Sequence, residues 1–137
     1  MNFPDWSNAV PEEITSDPLW RMMVYRQALF LGDIAWLDVC KLAQDRRMIA
    51  LSDQLYRAVG SISANIAEGY SKESHKDQAR FYEYALGSAR ETRDWYYKAR
   101  YVLEGEISKH RMQLTVEIIH QLLKMVPAYR DHKIGEG

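Results

Sequence analysis

The stretch FYEYALGSARETRDWYYKARYV, residues 81–102, decides the fold. Phe81, Ala85, Ser88, Thr92, Trp95, Ala99 and Val102 recur at alternating spacings of four and three. That is the period of a helix holding one face against other helices. No Pro interrupts it, and Gly105 follows at a position suited to a helix end.

Similar seams lie on both sides. Downstream, Ser108 is the expected cap of a helix carrying Met112, Val116, Ile119, Leu123 and Val126. Upstream, Ser52 opens a helix with Leu55, Val59, Ile62 and Ile66 on one face, with Leu51 just ahead of it, ending near Gly69. Ser74-His75-Lys76-Asp77 has the spacing of a capping box for the helix that holds the opening stretch. Asp17-Pro18 marks the start of the earliest long helix, because Asp caps well and Pro suits the first helical position. That helix runs to about Gln44 with Trp20, Val24, Ala28, Leu31, Ala35 and Leu42 on its seam. Short connections make successive helices antiparallel neighbours. The predicted fold is all-α, an up-down-up-down four-helix bundle over residues 18–130. Residues 1–17 are expected to be an extended arm anchored by Phe3 and Trp6, and residues 131–137 a flexible tail.

Composition agrees with one soluble domain. The 137 residues are 47% apolar and 27% charged, which suits a single core rather than a disordered chain. Eighteen Lys and Arg against nineteen Asp and Glu leave a net charge of -1, so a strongly basic nucleic-acid binder is not the default. The single Cys40 excludes an intramolecular disulfide framework and a cysteine-based zinc site. No apolar run reaches the roughly 20 residues of a membrane helix. The N-terminus has no basic and apolar leader pattern, so the expected location is the cytoplasm.

Nine Tyr, four Trp and three Phe are many for so small a chain. Several large residues fall on helix backs, away from the seams: Met22, Tyr25, Leu29 and Trp36 on the first long helix, and Leu86, Tyr97 and Tyr101 on the third. Leu114, Ile118 and Leu122 widen the apolar arc of the last. An isolated bundle helix needs an apolar stripe of only roughly 100°, and Tyr, Trp, Met and Arg are enriched at interfaces. These ten residues are the expected self-association surface. Between Gln54 and Ser71 the only charges are Arg57 and Glu68. Gln54, Arg57, Ser61, Asn65 and Glu68 form one polar stripe, expected to be confined, with Glu91, Arg90 and Arg93 as candidate partners. Gly60, Ser63, Ala64 and Ala67 form a small-residue stripe suited to close helix approach.

Catalytic patterns are missing. A di-iron bundle needs two Glu-x-x-His copies, and only Glu117-x-x-His120 occurs. Ser61, Ser63, Ser88 and Cys40 lack an activating base at helical spacing. No catalytic residue, metal or cofactor is expected, nor any small-molecule substrate. Charge is uneven along the chain: residues 1–40 carry two basic and six acidic residues, and residues 41–100 carry eleven and eight. Arg46 and Arg47 at one bundle end, and Lys72, Lys76 and Arg80 at the other, are the candidate nucleic-acid contacts.

The segment QLYRAVGSISANIAEGYSKES, residues 54–74, resembles a signature of the four-helix bundle family found as reading frames within 23S rRNA intervening sequences. Gln54, Leu55, Arg57, Ala58, Ser61, Ile62, Asn65, Ile66, Ala67, Glu68 and Gly69 carry it, with Gly87, Ser88 and Glu91 in YALGSARETRDW. The likeness spans about residues 19–126. The arm lies outside it, and the loop with Arg46 and Arg47 lacks the family's usual Phe-Pro. The resemblance implies an antiparallel bundle, assembly into a homo-oligomeric ring with a homopentamer as the expected form, and no established catalysis. The partners it implies are further copies of the chain, and RNA or a nucleoprotein as the alternative. A distant bundle relative serves diversity-generating retroelements as a reverse-transcriptase accessory, but that relative is basic and this chain is not.

Overall fold

A computed structural model of the chain describes residues 1–132. It contains six α-helices in the order α1 (Phe3–Ala9), α2 (Glu12–Thr15), α3 (Met23–Leu42), α4 (Ile49–Tyr70), α5 (His75–Ala99) and α6 (Gly105–Arg130). No strand occurs among the described residues. The connection from α4 to α5 is far too short to run back along α4, which is about 33 Å long at 1.5 Å per residue. Consecutive long helices therefore reverse direction. Each packs on the next, and α3 also packs on α6, so the four enclose one core. Leu31, Leu42, Leu55, Ile62, Ile66, Tyr82, Tyr96, Ile118 and Leu122 are fully buried in it.

Residues 1–17 are not an extended arm. Asn2 caps α1 by accepting the Asp5 N–H at 2.9 Å, and Pro4 sits in the first turn, where a missing N–H costs nothing. Trp6 is buried between Phe3, Trp20 and Phe30, with ring centroids 5.3–6.0 Å away. Its indole N–H donates to Asp33 at 2.7 Å. Burying an aromatic this large, with its N–H satisfied, offsets the cost of ordering a short helix. Of the predicted tail 131–137, the part from residue 133 on lies outside the described residues.

Helix starts differ from the predictions for local reasons. Asp17 does cap, accepting the Leu19 N–H at 2.9 Å, but it starts a 3-10 turn, Pro18–Arg21. Extended backbone at Met22 then separates the turn from α3, leaving Trp20 half-buried outside the helix. Asp45, not Ser52, takes the capping role on the way into α4: it accepts the Arg47 N–H at 2.9 Å and opens a 3-10 turn that runs into Ile49. Ser52 is inside α4, buried, and donates to the Ile49 carbonyl at 2.7 Å. Ser74 caps α5 as predicted, accepting the Asp77 N–H at 3.1 Å. That helix ends at Ala99, well short of the Gly105 expected to end it, because the Val102 and Leu103 N–H groups both turn back to the Ala99 carbonyl. Ser108 does not open α6, which begins at Gly105.

The α5 seam is also displaced. Its buried residues are Ala79, Tyr82, Ala85, Ala89, Thr92, Tyr96 and Ala99. Ala85, Thr92 and Ala99 were placed correctly, but Phe81, Ser88 and Trp95 are only half-buried. On α6, Thr115, Ile118 and Leu122 join Ile119 and Val126 inside, while Met112 and Val116 are half-buried and Leu123 is exposed. Where α4 meets α5, a Cβ on Gly69 would lie 2.8 Å from a Tyr82 ring carbon and 3.0 Å from Phe81 Cβ. Glycine is required there by the close approach.

Candidate interaction surfaces

The predicted polar stripe divides when it is placed on α4. Gln54, Arg57 and Glu68 are exposed, as is Glu91 on α5, so the stripe is not confined. The reason is position: these residues lie on the solvent side of α4, away from Leu55, Ile62 and Ile66. Only its centre is shielded. Ser61 and Ser88 hydroxyls lie 2.8 Å apart across α4 and α5, and the Asn65 amide donates to the Ser61 carbonyl at 2.8 Å and to its hydroxyl at 3.0 Å. Glu68 pairs with Lys72 at 3.6 Å rather than with Arg90 or Arg93. Arg57 and Glu91 form no ion pair among the described residues. Gly60 and Ala64, meant for close helix approach, face solvent, and nothing lies within 4 Å of a Cβ built on Gly60.

The ten expected interface residues also divide. Tyr25, Ile118 and Leu122 belong to the core and are unavailable to a partner. Met22, Leu29, Leu86 and Leu114 are half-buried and pack against that core. Trp36, Tyr97 and Tyr101 are 55%, 52% and 78% exposed. Trp36 meets Tyr56 edge-on on the α3/α4 side, with centroids 5.6 Å apart. Tyr97 and Tyr101 carry the Arg100 guanidinium at 3.8 and 4.3 Å from their ring centres. Leu37, Ile49 and Tyr56, outside the ten expected residues, are exposed as well. Their exposure follows from sitting on α3 and α4 opposite the buried seams.

The five candidate nucleic-acid cations fall at the two ends of α4, about 33 Å apart by its length. Arg47 chelates Asp45 at 2.9 and 3.1 Å, which, with the Arg47 N–H, holds the Asp45 carboxyl at about 2. Lys72 pairs with Glu68 and Arg80 with Asp77, and both cations also lie over the Phe81 ring. Arg46 and Lys76 are exposed without an ion pair among the described residues.

A buried charged cluster lies outside every predicted site. Asp38 on α3 accepts the Tyr96 hydroxyl at 2.7 Å, Arg111 Nε at 2.7 Å and Arg111 Nη2 at 3.1 Å. The Asp38 and Arg111 side chains are 5% and 14% exposed. Two planar N–H groups on one carboxylate give a strong and directional pair. It ties α3, α5 and α6 together in one register. Burial and the neighbouring carboxylate raise the Tyr96 phenol well above its usual value. Arg111 also reaches His110 Nδ1 at 2.8 Å. Burial and the Arg111 charge hold that imidazole below its usual value. The only sequence signal was Asp38 itself within the apolar run IAWLDVCKL.

Two surface hollows adjoin these features. A groove of about 500 Å³ runs between α1, α2 and α3, lined by Asp5, Trp6, Val10, Ile14, Leu29 and Asp33 among others. A shallower shelf of about 370 Å³ lies between α5 and α6, lined by Arg90, Arg93, Asp94, Tyr97 and Met112. Glu117 and His120 are both exposed on α6. Among the described residues no group of three or more His, Cys, Asp and Glu is placed to hold a metal ion. Nor is any described helix long and apolar enough to cross a membrane.

A family model described as 23S rRNA-intervening sequence protein matches residues 21–128. A crystal structure from Bacteroides thetaiotaomicron, described as a protein of unknown function from the S23 ribosomal protein family, shares the fold at a TM-score of 0.71 and 23% identity. That alignment covers 76% of this chain and 98% of the other. No curated protein matches the chain.

Proposed function

The chain belongs to the 23S rRNA-intervening sequence protein family, and from that premise we propose that it is a non-enzymatic scaffold or adaptor, a four-helix bundle that assembles with copies of itself into a ring. One observation carries this reading. Trp36, Tyr97 and Tyr101 remain more than half exposed on different sides of a molecule whose core is already closed. Single exposed aromatics are ordinary, but Tyr97 and Tyr101 share the Arg100 guanidinium and Trp36 abuts Tyr56, and grouped exposed aromatics mark interaction surfaces. The nucleic-acid alternative rests on Arg46, Arg47, Lys72, Lys76 and Arg80. Three of these are neutralised locally by Asp45, Glu68 and Asp77, which favours self-association over it.

The test is the mass of the unmodified protein in solution. Light scattering across a concentration series is expected to give a multiple of the 16.0 kDa chain mass. A monomer at every concentration would overturn the proposal.

A further inference from the structure

The hollow between α1, α2 and α3 and the shelf between α5 and α6 are complementary in charge and in apolar character. The groove has two carboxylates, Asp5 and Asp33, on an apolar floor of Val10, Ile14 and Leu29; no Lys, Arg or His side chain lines it, and its one basic group is the terminal amine of Met1. Neither carboxylate forms an ion pair among the described residues; Asp33 accepts only the Trp6 indole and Asp5 only the Asn2 amide. The shelf is the converse. Its one carboxylate, Asp94, is held by Lys98 at 2.7 Å. Arg90 and Arg93 have no ion-pair partner among the described residues. They stand beside the half-exposed Tyr97 ring and the Met112 side chain.

We propose that the α5/α6 shelf of one copy docks in the α1–α3 groove of the next, with Tyr97 against the apolar floor and Arg90 and Arg93 facing Asp5 and Asp33. The proposal rests on the self-association reading and adds the two surfaces that make it. The occupant is a second copy because this chain itself carries both halves of the match, at unpaired charges of opposite sign. Like-signed faces repel and unlike ones steer association, so groove-to-groove and shelf-to-shelf pairing are disfavoured. Different surfaces on the two partners make the contact heterologous, and such contacts close into rings when the rotation allows. The groove depends on the two short N-terminal helices, both of which lie outside the family match. Two of the six acidic residues of 1–40, Asp5 and Asp33, thus face two of the eleven basic residues of 41–100, Arg90 and Arg93, across one contact.

The test uses two full-length variants that leave the core untouched: Arg90→Glu/Arg93→Glu on the shelf, and Asp5→Lys/Ala9→Lys on the groove. All four positions are exposed. Light scattering is expected to show each variant falling to the 16.0 kDa monomer. The equimolar mixture should regain a mass of at least twice that value, because one intact shelf and one intact groove remain to pair and the two reversed faces are again opposite in sign. Oligomers that keep their full mass in either variant overturn the proposal and leave self-association standing. Variants that are monomeric alone and in mixture overturn head-to-tail pairing. A monomeric parent protein overturns the self-association reading itself. Hydrogen-exchange protection of residues 3–15 reports whether the groove is still built, and Tyr97→Asp, at a half-exposed position, repeats the shelf test if the double variant fails to fold. Salt is expected to weaken the contact, since its charges are exposed before docking.

Discussion

Gly60 and Gly69 stand nine positions apart on α4 and have opposite requirements. At Gly69 a methyl group would enter the Tyr82 ring and the Phe81 Cβ, at 2.8 and 3.0 Å. Tyr82 is fully buried and cannot swing away. Gly69→Ala is therefore expected to destabilise by about 1–3 kcal/mol through overpacking. At Gly60 the space is open, so Gly60→Ala should stabilise by about 0.5–1 kcal/mol through lower backbone entropy in the unfolded chain. Urea denaturation of both variants checks the pair, and equal signs would contradict the close-approach account. At Asp38 the requirement is for charge. Asp38→Asn leaves Arg111 nearly buried against a neutral amide, and breaking such a pair costs roughly 3–5 kcal/mol. A loss below about 1 kcal/mol, the scale of an exposed pair, would show that Arg111 escapes to water. The sequence showed a carboxylate among apolar neighbours and nothing more. Its partners lie 58 and 73 positions away, and a single chain of letters does not report pairing over that distance.

Among the helices, local chemistry was readable and lateral packing was not. Ser74 opens α5 because the whole signal, a hydroxyl three residues before an amide that needs an acceptor, lies within one turn. Ser52 and Ser108 carry the same residue type but sit inside α4 and α6, where the chain had already entered helix from Asp45 and from Glu104. This difference is measurable. Ser74→Ala is expected to cost about 1 kcal/mol for the lost cap. Ser108→Ala should be neutral or slightly stabilising, because its buried hydroxyl has no hydrogen-bond partner among the described residues and Ala is the better helix former. Thermal unfolding that ranks the two the other way would reject both assignments. The α5 register failed for a different reason. Phe81, Tyr82, Tyr84, Trp95, Tyr96 and Tyr97 surround the helix, so the apolar period fits more than one face. Which face turns inward is set by neighbours. The Ser61 hydroxyl on α4 takes up Ser88, and the Asp38–Arg111 pair takes up Tyr96.

For the whole molecule, the four long helices and their order followed from the apolar seam that each helix carries alone, although of the predicted serine caps only Ser74 opens its helix. The N-terminal helices did not, because a seven-residue helix has too few turns to show a period and is marginal by itself. What holds α1 is its contact with α3, centred on Trp6, Phe3 and Phe30. Phe3 and Trp6 were readable as anchors; the helix between them was not. Trp6→Ala removes that centre together with the hydrogen bond to Asp33. Losing a buried Trp costs about 3–5 kcal/mol, more than a seven-residue helix is expected to retain once its main anchor is gone. The expected result is local: α1 and α2 detach while α3 to α6 stay folded, since their core residues pack mainly on one another. Hydrogen exchange measures this directly. Amides of residues 3–15 should lose protection while those of α4 and α5 keep it. Equal acceleration through α4 and α5 would mean that the N-terminal helices belong to the same cooperative unit as the core. The variant also bears on assembly, because α1 forms a wall of the acidic groove. With α1 detached, the oligomer should dissociate although the shelf residues Arg90, Arg93 and Tyr97 are unchanged.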